Sequence, residues 1–202
     1  MPFKTLVKAG SINNLTDARF FSSFQVDWIG FNFDPLSPYA VTLEQAKEIM
    51  NWLAGPAIVA EFNNRSLEEI TFISNALGVK GVQVPYEQNI SGLEGDFKII
   101  KELRISPESV PMAIYTDVDF LLLEIYGLEK LTEKMPADLD AFIRDTCENI
   151  PTILSLPFDA ENIESILNIY KPSGINLYGS DELQTGVKEF NELVNILEKI
   201  EI

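Results

Sequence analysis

The sequence has no histidine and only one cysteine, and each scarcity excludes a class of chemistry. Histidine is the commonest general base and metal ligand, so any acid–base step must use carboxylates, lysine or tyrosine. A lone cysteine, Cys147, rules out an internal disulfide and suits a reducing compartment. Residues 144–148 have a helical pattern, and no histidine is present to activate the thiol. We therefore interpret Cys147 as a half-buried structural residue.

Basic residues and long apolar runs are also scarce. The chain has 15 Lys and Arg against 31 Asp and Glu, a net charge of −16, and no basic cluster. That balance disfavours a nucleic-acid partner, because phosphate backbones are bound by clustered cations. No apolar run approaches the roughly 18–20 residues that span a bilayer, and the N-terminus lacks a signal pattern. We expect a cytoplasmic protein with neither a membrane nor a nucleic-acid partner.

What the chain does contain is a regular alternation of short apolar runs and helical patterns, which is typical of repeated βα units. At 202 residues it is long enough for one sizeable core, so we expect a single domain over residues 1–202. The predicted strands are residues 5–9, 27–33, 57–62, 81–84, 97–103, 120–126, 151–156 and 173–178.

Helix signals lie between nearly all of these strands. Asn14 or Thr16 can cap the first helix, and capping boxes begin at Thr42 and Ser66. The predicted helices are residues 15–24, 43–53, 67–77, 136–149, 159–170 (with Asp159 as the cap) and 188–200. Residues 86–96 and 106–117 predict loops or short turns. The pattern therefore predicts a short (β/α)8 barrel with abbreviated helices after strands four and five. The alternative is an open, doubly wound sheet.

Residues 7–18 carry a motif, Val-Lys-Ala-Gly-Ser-Ile-Asn-Asn-Leu-Thr-Asp-Ala. It resembles the opening of the phosphoribosylanthranilate isomerase family, Val-Lys-Ile-Cys-Gly-Ile-Thr-Asn-Leu-x-Asp-Ala, without a gap. Residues 27–33, 59–64 and 81–85 also resemble family strands. The resemblance covers nearly the whole chain and implies a (β/α)8 barrel. It implies an aldose–ketose isomerase of tryptophan biosynthesis, without metal or organic cofactor, as a monomer or homodimer.

The family reaction is an Amadori rearrangement of an aminoribose phosphate, which needs a general acid and a general base. By resemblance, the acid falls on Glu124 and the base, a cysteine in the family, falls on Gly10. Tyr39 stands where the family has an arginine that faces the substrate. Glycine cannot accept a proton, so we expect the isomerase activity to be weak or lost.

The phosphate-binding turns of the family are also changed. Leu156 and Pro157 stand where a strand of the family ends in Gly-Gly, and Pro157 has no N–H to donate. Asp181 adds a negative charge, whereas Gly179 and Ser180 keep two backbone amides for an anion.

Polar residues near the predicted strand ends form a second set of ligand-binding candidates. One interpretation is a small polar or phosphorylated ligand, with Glu61 and Glu124 as acid and base beside two lysines. The other is a layer of ion pairs, since buried charges must be paired. The candidates are Lys8, Asn32, Glu61, Gln83, Lys101, Ser155, Asn176 and Tyr178.

Three functions therefore stay open. The chain is a diverged family member that binds a small ligand or a protein without catalysis, an isomerase with a new base such as Lys8 or Glu61, or an enzyme with new acid–base chemistry. We expect the aromatic cluster of Phe20, Phe21 and Phe24 to be core, and the acidic stretches 129–133 and 138–148 to be solvated helix faces.

Overall fold

A computed structural model describes residues 3–114, 116, 118–128, 135–180, 182–184 and 187–202. The strands are β1 (Leu6–Gly10), β2 (Trp28–Asn32), β3 (Ala57–Glu61), β4 (Gly81–Pro85), β5 (Lys98–Ile105), β6 (Phe120–Ile125), β7 (Thr152–Ser155), β8 (Gly174–Tyr178), β9 (Glu182–Gln184) and β10 (Val187–Lys188). The helices are α1 (Leu15–Ser23), α2 (Leu43–Met50), α3 (Leu67–Leu77), α4 (Ala137–Asn149), α5 (Ile163–Tyr170) and α6 (Asn191–Ile200).

Strands β1 to β8 run parallel and close into a barrel in sequence order. The barrel prediction is confirmed, and the open-sheet alternative is wrong. Between β4 and β5, and between β5 and β6, the described residues contain no helix. The predicted abbreviation of these two βα units is therefore seen in the described part of the chain.

Contacts divide the chain into two compact units, of which one comprises Val7–Glu102 and Leu177–Gly179. Within it, β2, β3 and β4 pair in parallel, with Asn32 opposite Glu61 and Glu61 opposite Gln83. Because side chains alternate between the two faces of a strand, this register places the three polar side chains on one face. The other face of these strands is apolar, with Phe31, Ala60 and further buried residues in the core.

The other unit comprises Met1–Leu6, Leu103–Asn176 and Ser180–Ile202. Here β6 pairs with β7 and β7 with β8, and α5 packs against both α4 and α6. Register places Glu124 opposite Ser155 at the strand ends. On the same face, two positions earlier, Leu122 and Ile153 are opposite each other and buried.

The helix starts follow local side-chain chemistry. Asn14 accepts the N–H of Asp17, and Thr42 and Ser66 form complete capping boxes with the residues three positions on. These three predictions are confirmed. Of the predicted aromatic core on α1, Phe21 is fully buried and Phe20 packs edge-on against it.

Two helix starts are corrected. Helix α5 begins at Ile163 rather than at residue 159, because Asp159 Oδ1 accepts the N–H groups of Glu161 and Asn162 in a turn before the helix. Helix α6 begins at Asn191, since Lys188 belongs to the β9–β10 hairpin. The hairpin itself was not predicted.

The acidic stretch 138–148 forms part of α4, where Asp138, Asp145 and Glu148 are exposed as expected. The stretch 129–133 lies outside the described residues. No described helix is long and apolar enough to cross a membrane.

Candidate functional site

A buried ion pair joins the middle of β1 to the end of β3. Lys8 Nζ lies 2.5 Å from Glu61 Oε1, and the two side chains are 1% and 3% exposed. The second carboxylate oxygen, Glu61 Oε2, accepts the Ser11 backbone N–H at 3.0 Å and the Ser11 hydroxyl at 2.8 Å. Both carboxylate oxygens of Glu61 therefore have hydrogen-bond donors, and Lys8 in the same unit balances its charge.

Two backbone features make room for this pair. Gly30 on β2 borders it so closely that a Cβ there would overlap Glu61 Oε1. Ser11 has a φ of +51°, a left-handed conformation uncommon outside glycine, which lets its N–H and hydroxyl reach the same oxygen. Gly10, between Lys8 and this turn, is buried and presents no side chain.

This geometry bears on the two interpretations of the polar set. Ion pairing accounts for Lys8 and Glu61, because an unpaired charge at such burial is strongly destabilising. Ion pairing with Glu61 does not account for Lys101. Its ammonium donates to the backbone carbonyls of Pro85, Tyr86 and Gln88, so it holds the loop after β4.

Burial acts on Lys101 as well. Desolvation lowers the pKa of its ammonium, and the Glu87 carboxylate partly opposes the effect. Register places Lys101 opposite Val84, one position out of step with Gln83. Lys101 is therefore on the opposite face of the sheet from Gln83 and is not brought to Glu61.

A second polar pair joins β4 and β5. Gln83 Nε2 donates to Glu102 Oε2 at 3.2 Å, which fixes the orientation of the amide because a carboxylate only accepts. Gln83 Oε1 is buried and has no hydrogen-bond partner among the described residues. Nearby on the same face, Asn32 Oδ1 accepts the Asp34 N–H at 2.9 Å and orders the loop after β2.

In the other unit, Glu124 pairs with Arg104. The Arg104 Nε–H donates to Glu124 Oε2, and the carboxylate side chain is only 13% exposed whereas the guanidinium side chain is 59% exposed. Next to Glu124 in register, Ser155 Oγ accepts the Asn176 amide at 3.4 Å. Glu124 and Ser155 thus lie at the ends of β6 and β7, and Asn176 lies in the middle of β8.

The residues that align with the family's phosphate-binding turns already contact other residues of the chain. A Cβ at Gly179 would overlap the Asp17 carboxylate, so a negative charge stands against this glycine. The Ser180 hydroxyl donates to the Glu189 carbonyl, and the Ser180 carbonyl accepts the Lys188 ammonium at 2.6 Å. Leu156 is buried. Asp181 lies outside the described residues.

The two candidate tyrosines are about half exposed, Tyr39 at 50% and Tyr178 at 42%. Among the described residues, no cluster of three acidic or cysteine side chains is arranged to hold a metal ion. Cys147 is half-buried on α4, and desolvation raises the pKa of its thiol to about 12. That environment agrees with a structural thiol and not with a nucleophile.

Several residues of these sites are absent from the sequence-based set, namely Ser11, Asp17, Glu102 and Arg104. Glu102 and Arg104 alternate with Leu103 and Ile105 at the end of the fifth predicted strand and just beyond it, so a period of two was the available signal. Ser11 had none, because its role depends on a left-handed turn and on a carboxylate 50 positions away.

The closed order of strands and the acid–base side chains at their ends define a (β/α)8 barrel of the type that builds sites from strand ends. No family model matches the chain. The N-(5'-phosphoribosyl)anthranilate isomerase of Nostoc punctiforme is 30% identical over 182 residues, which cover 85% of this chain and 87% of that protein. The chain belongs to the N-(5'-phosphoribosyl)anthranilate isomerase family.

Solved structures agree with this fold. The phosphoribosylanthranilate isomerase of Thermus thermophilus superposes with a TM-score of 0.74 at 22% identity, covering 96% of each chain. Another, solved in complex with reduced 1-(o-carboxyphenylamino)-1-deoxyribulose 5-phosphate, gives 0.73 at 20% identity and covers 97% of this chain and 98% of its own.

Proposed function

We propose that this protein is a phosphoribosylanthranilate isomerase-type barrel in which the Amadori rearrangement of N-(5'-phosphoribosyl)anthranilate is weak or lost. Gly10 carries the proposal. It is buried at the end of β1, at the position of the family's catalytic cysteine, and it has no group that accepts a proton. Loss of a general base typically lowers the rate about 10²–10⁴-fold.

The general acid has a better candidate. Glu124, one residue before the end of β6, stands at the position of the family's aspartate, and its side chain is mostly shielded from water. It is one methylene longer than aspartate, and a displacement of about 1 Å can cost roughly 10²-fold in rate. Arg104 is bound to it and would have to share the carboxylate with a substrate.

The two candidate replacement bases are occupied. The Glu61 carboxylate accepts three hydrogen bonds, and Lys8 is its ion-pair partner. Recruiting either group as a base would break a buried pair. This supports weakened isomerase activity over a rewired active site, and it equally disfavours new chemistry that uses Glu61 together with Glu124.

A binding protein for a small polar ligand is the second candidate. The observation that favours it is Gln83, whose amide nitrogen donates to Glu102 while its buried amide oxygen has no partner among the described residues. A buried acceptor of this kind suits a hydroxyl or ammonium group. Asp17 against Gly179 points the same way, since an acidic side chain disfavours a phosphate.

Under the main proposal, the substrate is a small phosphorylated metabolite, the compartment is the cytoplasm, and neither nucleic acid nor membrane is a partner. The net charge of −16 supports the absence of a polyanionic partner. The relatives from Nostoc punctiforme and Thermus thermophilus bear the name of an isomerase of this substrate.

Turnover of phosphoribosylanthranilate by the purified protein tests the proposal. We expect kcat/KM at least about 10²-fold below that of a cysteine-bearing relative, and a further loss in Glu124→Gln. The matched control is Glu69→Gln, which alters an exposed carboxylate in an ion pair on α3. Heat-killed protein gives the background.

A rate equal to that of the relative would contradict the weak-activity proposal. Residual turnover that Glu124→Gln leaves unchanged would remove Glu124 from the mechanism. Complete absence of turnover in folded protein, with saturable binding of a polyol such as ribitol, would favour the binding protein.

A further inference from the structure

The turn after β1 gathers three hydrogen-bond donors around one carboxylate. The Lys8 ammonium lies 2.5 Å from one oxygen of Glu61, and the Ser11 N–H and hydroxyl lie 3.0 and 2.8 Å from the other. A cation with a backbone amide and a hydroxyl is the donor set that proteins use for carboxylates and phosphates.

The surroundings are shaped for the anion. The Lys8 and Glu61 side chains are 1% and 3% exposed, so the group is shielded from water. Ser11 holds a left-handed backbone with φ of +51°, and Gly30 leaves the space that Glu61 Oε1 occupies. The donors come from residues 8–11 of β1 and its turn, whereas the carboxylate arrives from β3.

We propose that this turn is an anion-binding site for a small carboxylate, and that the chain fills it with its own Glu61. The Glu61 side chain acts as an internal ligand that pairs with the Lys8 ammonium and so excludes an external anion. The inference rests on the proposed function and deepens it. Gly10 has no side chain to act as the base, and the nearby Lys8 ammonium is unavailable to a substrate because Glu61 binds it.

Emptying the site by substitution tests this directly. In Glu61→Ala, the three donors lose their anion, and sodium formate should bind in its place. We expect formate to raise the midpoint of thermal unfolding in a saturable way, by about 3–6 °C at ten times its Kd, relative to sodium chloride of equal ionic strength. A carboxylate with a larger apolar group, such as benzoate, should do less because the cavity is that of one side chain.

Three proteins serve as controls. Wild type should show no formate-specific shift because Glu61 occupies the site. Glu69→Ala removes an exposed, paired carboxylate of α3 and should likewise show none. Lys8→Met/Glu61→Ala should lose the response because the cation is gone.

An equal response in the double variant, or no formate-specific shift in Glu61→Ala, overturns the proposal. If Glu61→Ala is insoluble, it is refolded from denaturant in formate and in chloride. Recovery in formate alone supports the site, and equal recovery or equal failure contradicts it. Turnover of wild type is measured separately, so full isomerase activity would refute the proposed function without changing the formate result.

Discussion

Replacing Lys8 by methionine should destabilise the protein more than any exposed charge substitution. The Lys8 and Glu61 side chains are 1% and 3% exposed, so water screens their interaction very little. Removing one partner of a buried ion pair costs about 3–5 kcal/mol, since the other charge stays buried. Glu61 would keep its two hydrogen bonds from Ser11, so we expect about 3 kcal/mol.

At about 2–4 °C per kcal/mol for a chain of this length, the unfolding midpoint should fall by about 6–12 °C. Equilibrium unfolding in urea, followed by circular dichroism, measures the free energy. The matched control is Lys4→Met, which breaks an ion pair with Glu164 whose partners are 45% and 50% exposed. Exposed pairs contribute about 0–1 kcal/mol.

The double variant Lys8→Met/Glu61→Leu separates charge burial from packing. If the cost of Lys8→Met is the charge left unpaired on Glu61, the double variant should be within about 1 kcal/mol of wild type or above it. A loss below about 1 kcal/mol for Lys8→Met would refute the reasoning. A double variant whose loss of unfolding free energy equals the sum of the losses in the two single variants would also refute it.

Three further results are expected. Gly10→Cys should raise kcat/KM for phosphoribosylanthranilate about 10²-fold or more over Gly10→Ala by restoring a proton acceptor. Gly10 is not among the glycines with positive φ, so its backbone conformation does not strain a side chain. Iodoacetamide at pH 8 should modify native Cys147 about 10²–10³-fold more slowly than the urea-unfolded chain, because burial raises its pKa from 9.0 to about 12; a rate equal to that of the unfolded chain would contradict this. The hydrogen bonds from Arg144 and then from Tyr170 lower the pKa of Asp140 in the folded protein. The stability that these hydrogen bonds contribute is therefore complete above the unfolded pKa of about 3.9. It is lost as the pH falls through the lower pKa of the folded state. The difference in unfolding free energy between wild type and Asp140→Asn should therefore shrink from pH 5 to pH 2.5, and a constant difference would argue against it.

Local side-chain chemistry made much of the fold predictable. Capping boxes at Thr42 and Ser66 join residues three positions apart, so they can be recognised without knowing the tertiary structure. Strand starts and ends agreed within about two residues, since apolar runs bounded by Gly and Pro mark them. Two helix starts were missed, because Asp159 formed a turn of its own instead of a cap and Lys188 belongs to the β9–β10 hairpin.

The β9–β10 hairpin escaped prediction for a different reason. Its strands are only three and two residues long, which is too short for an alternation of apolar and polar side chains to be recognised. Short antiparallel pairs of this kind depend on their surroundings more than on propensity.

The candidate site likewise combines features that the sequence predicted with features that it did not. The sequence singled out polar residues at strand ends, among them Lys8, Glu61 and Gln83, because strand ends carry the chemistry of a barrel. It could not assign their partners. Lys101 shares the residue type of Lys8, but register turns it to the opposite face, where it binds carbonyl groups.

Periodicity, caps and one aligned motif were thus sufficient for the (β/α)8 barrel and the family, and for the proposal that the general base is missing at Gly10. All of these depend on residues near one another in the chain or on identity at one position. The pairing of Lys8 with Glu61, 53 positions apart, and the left-handed turn of Ser11 were settled only by the tertiary structure. Strand register brings distant residues together, and the demand that every buried charge find a partner then selects which contacts form.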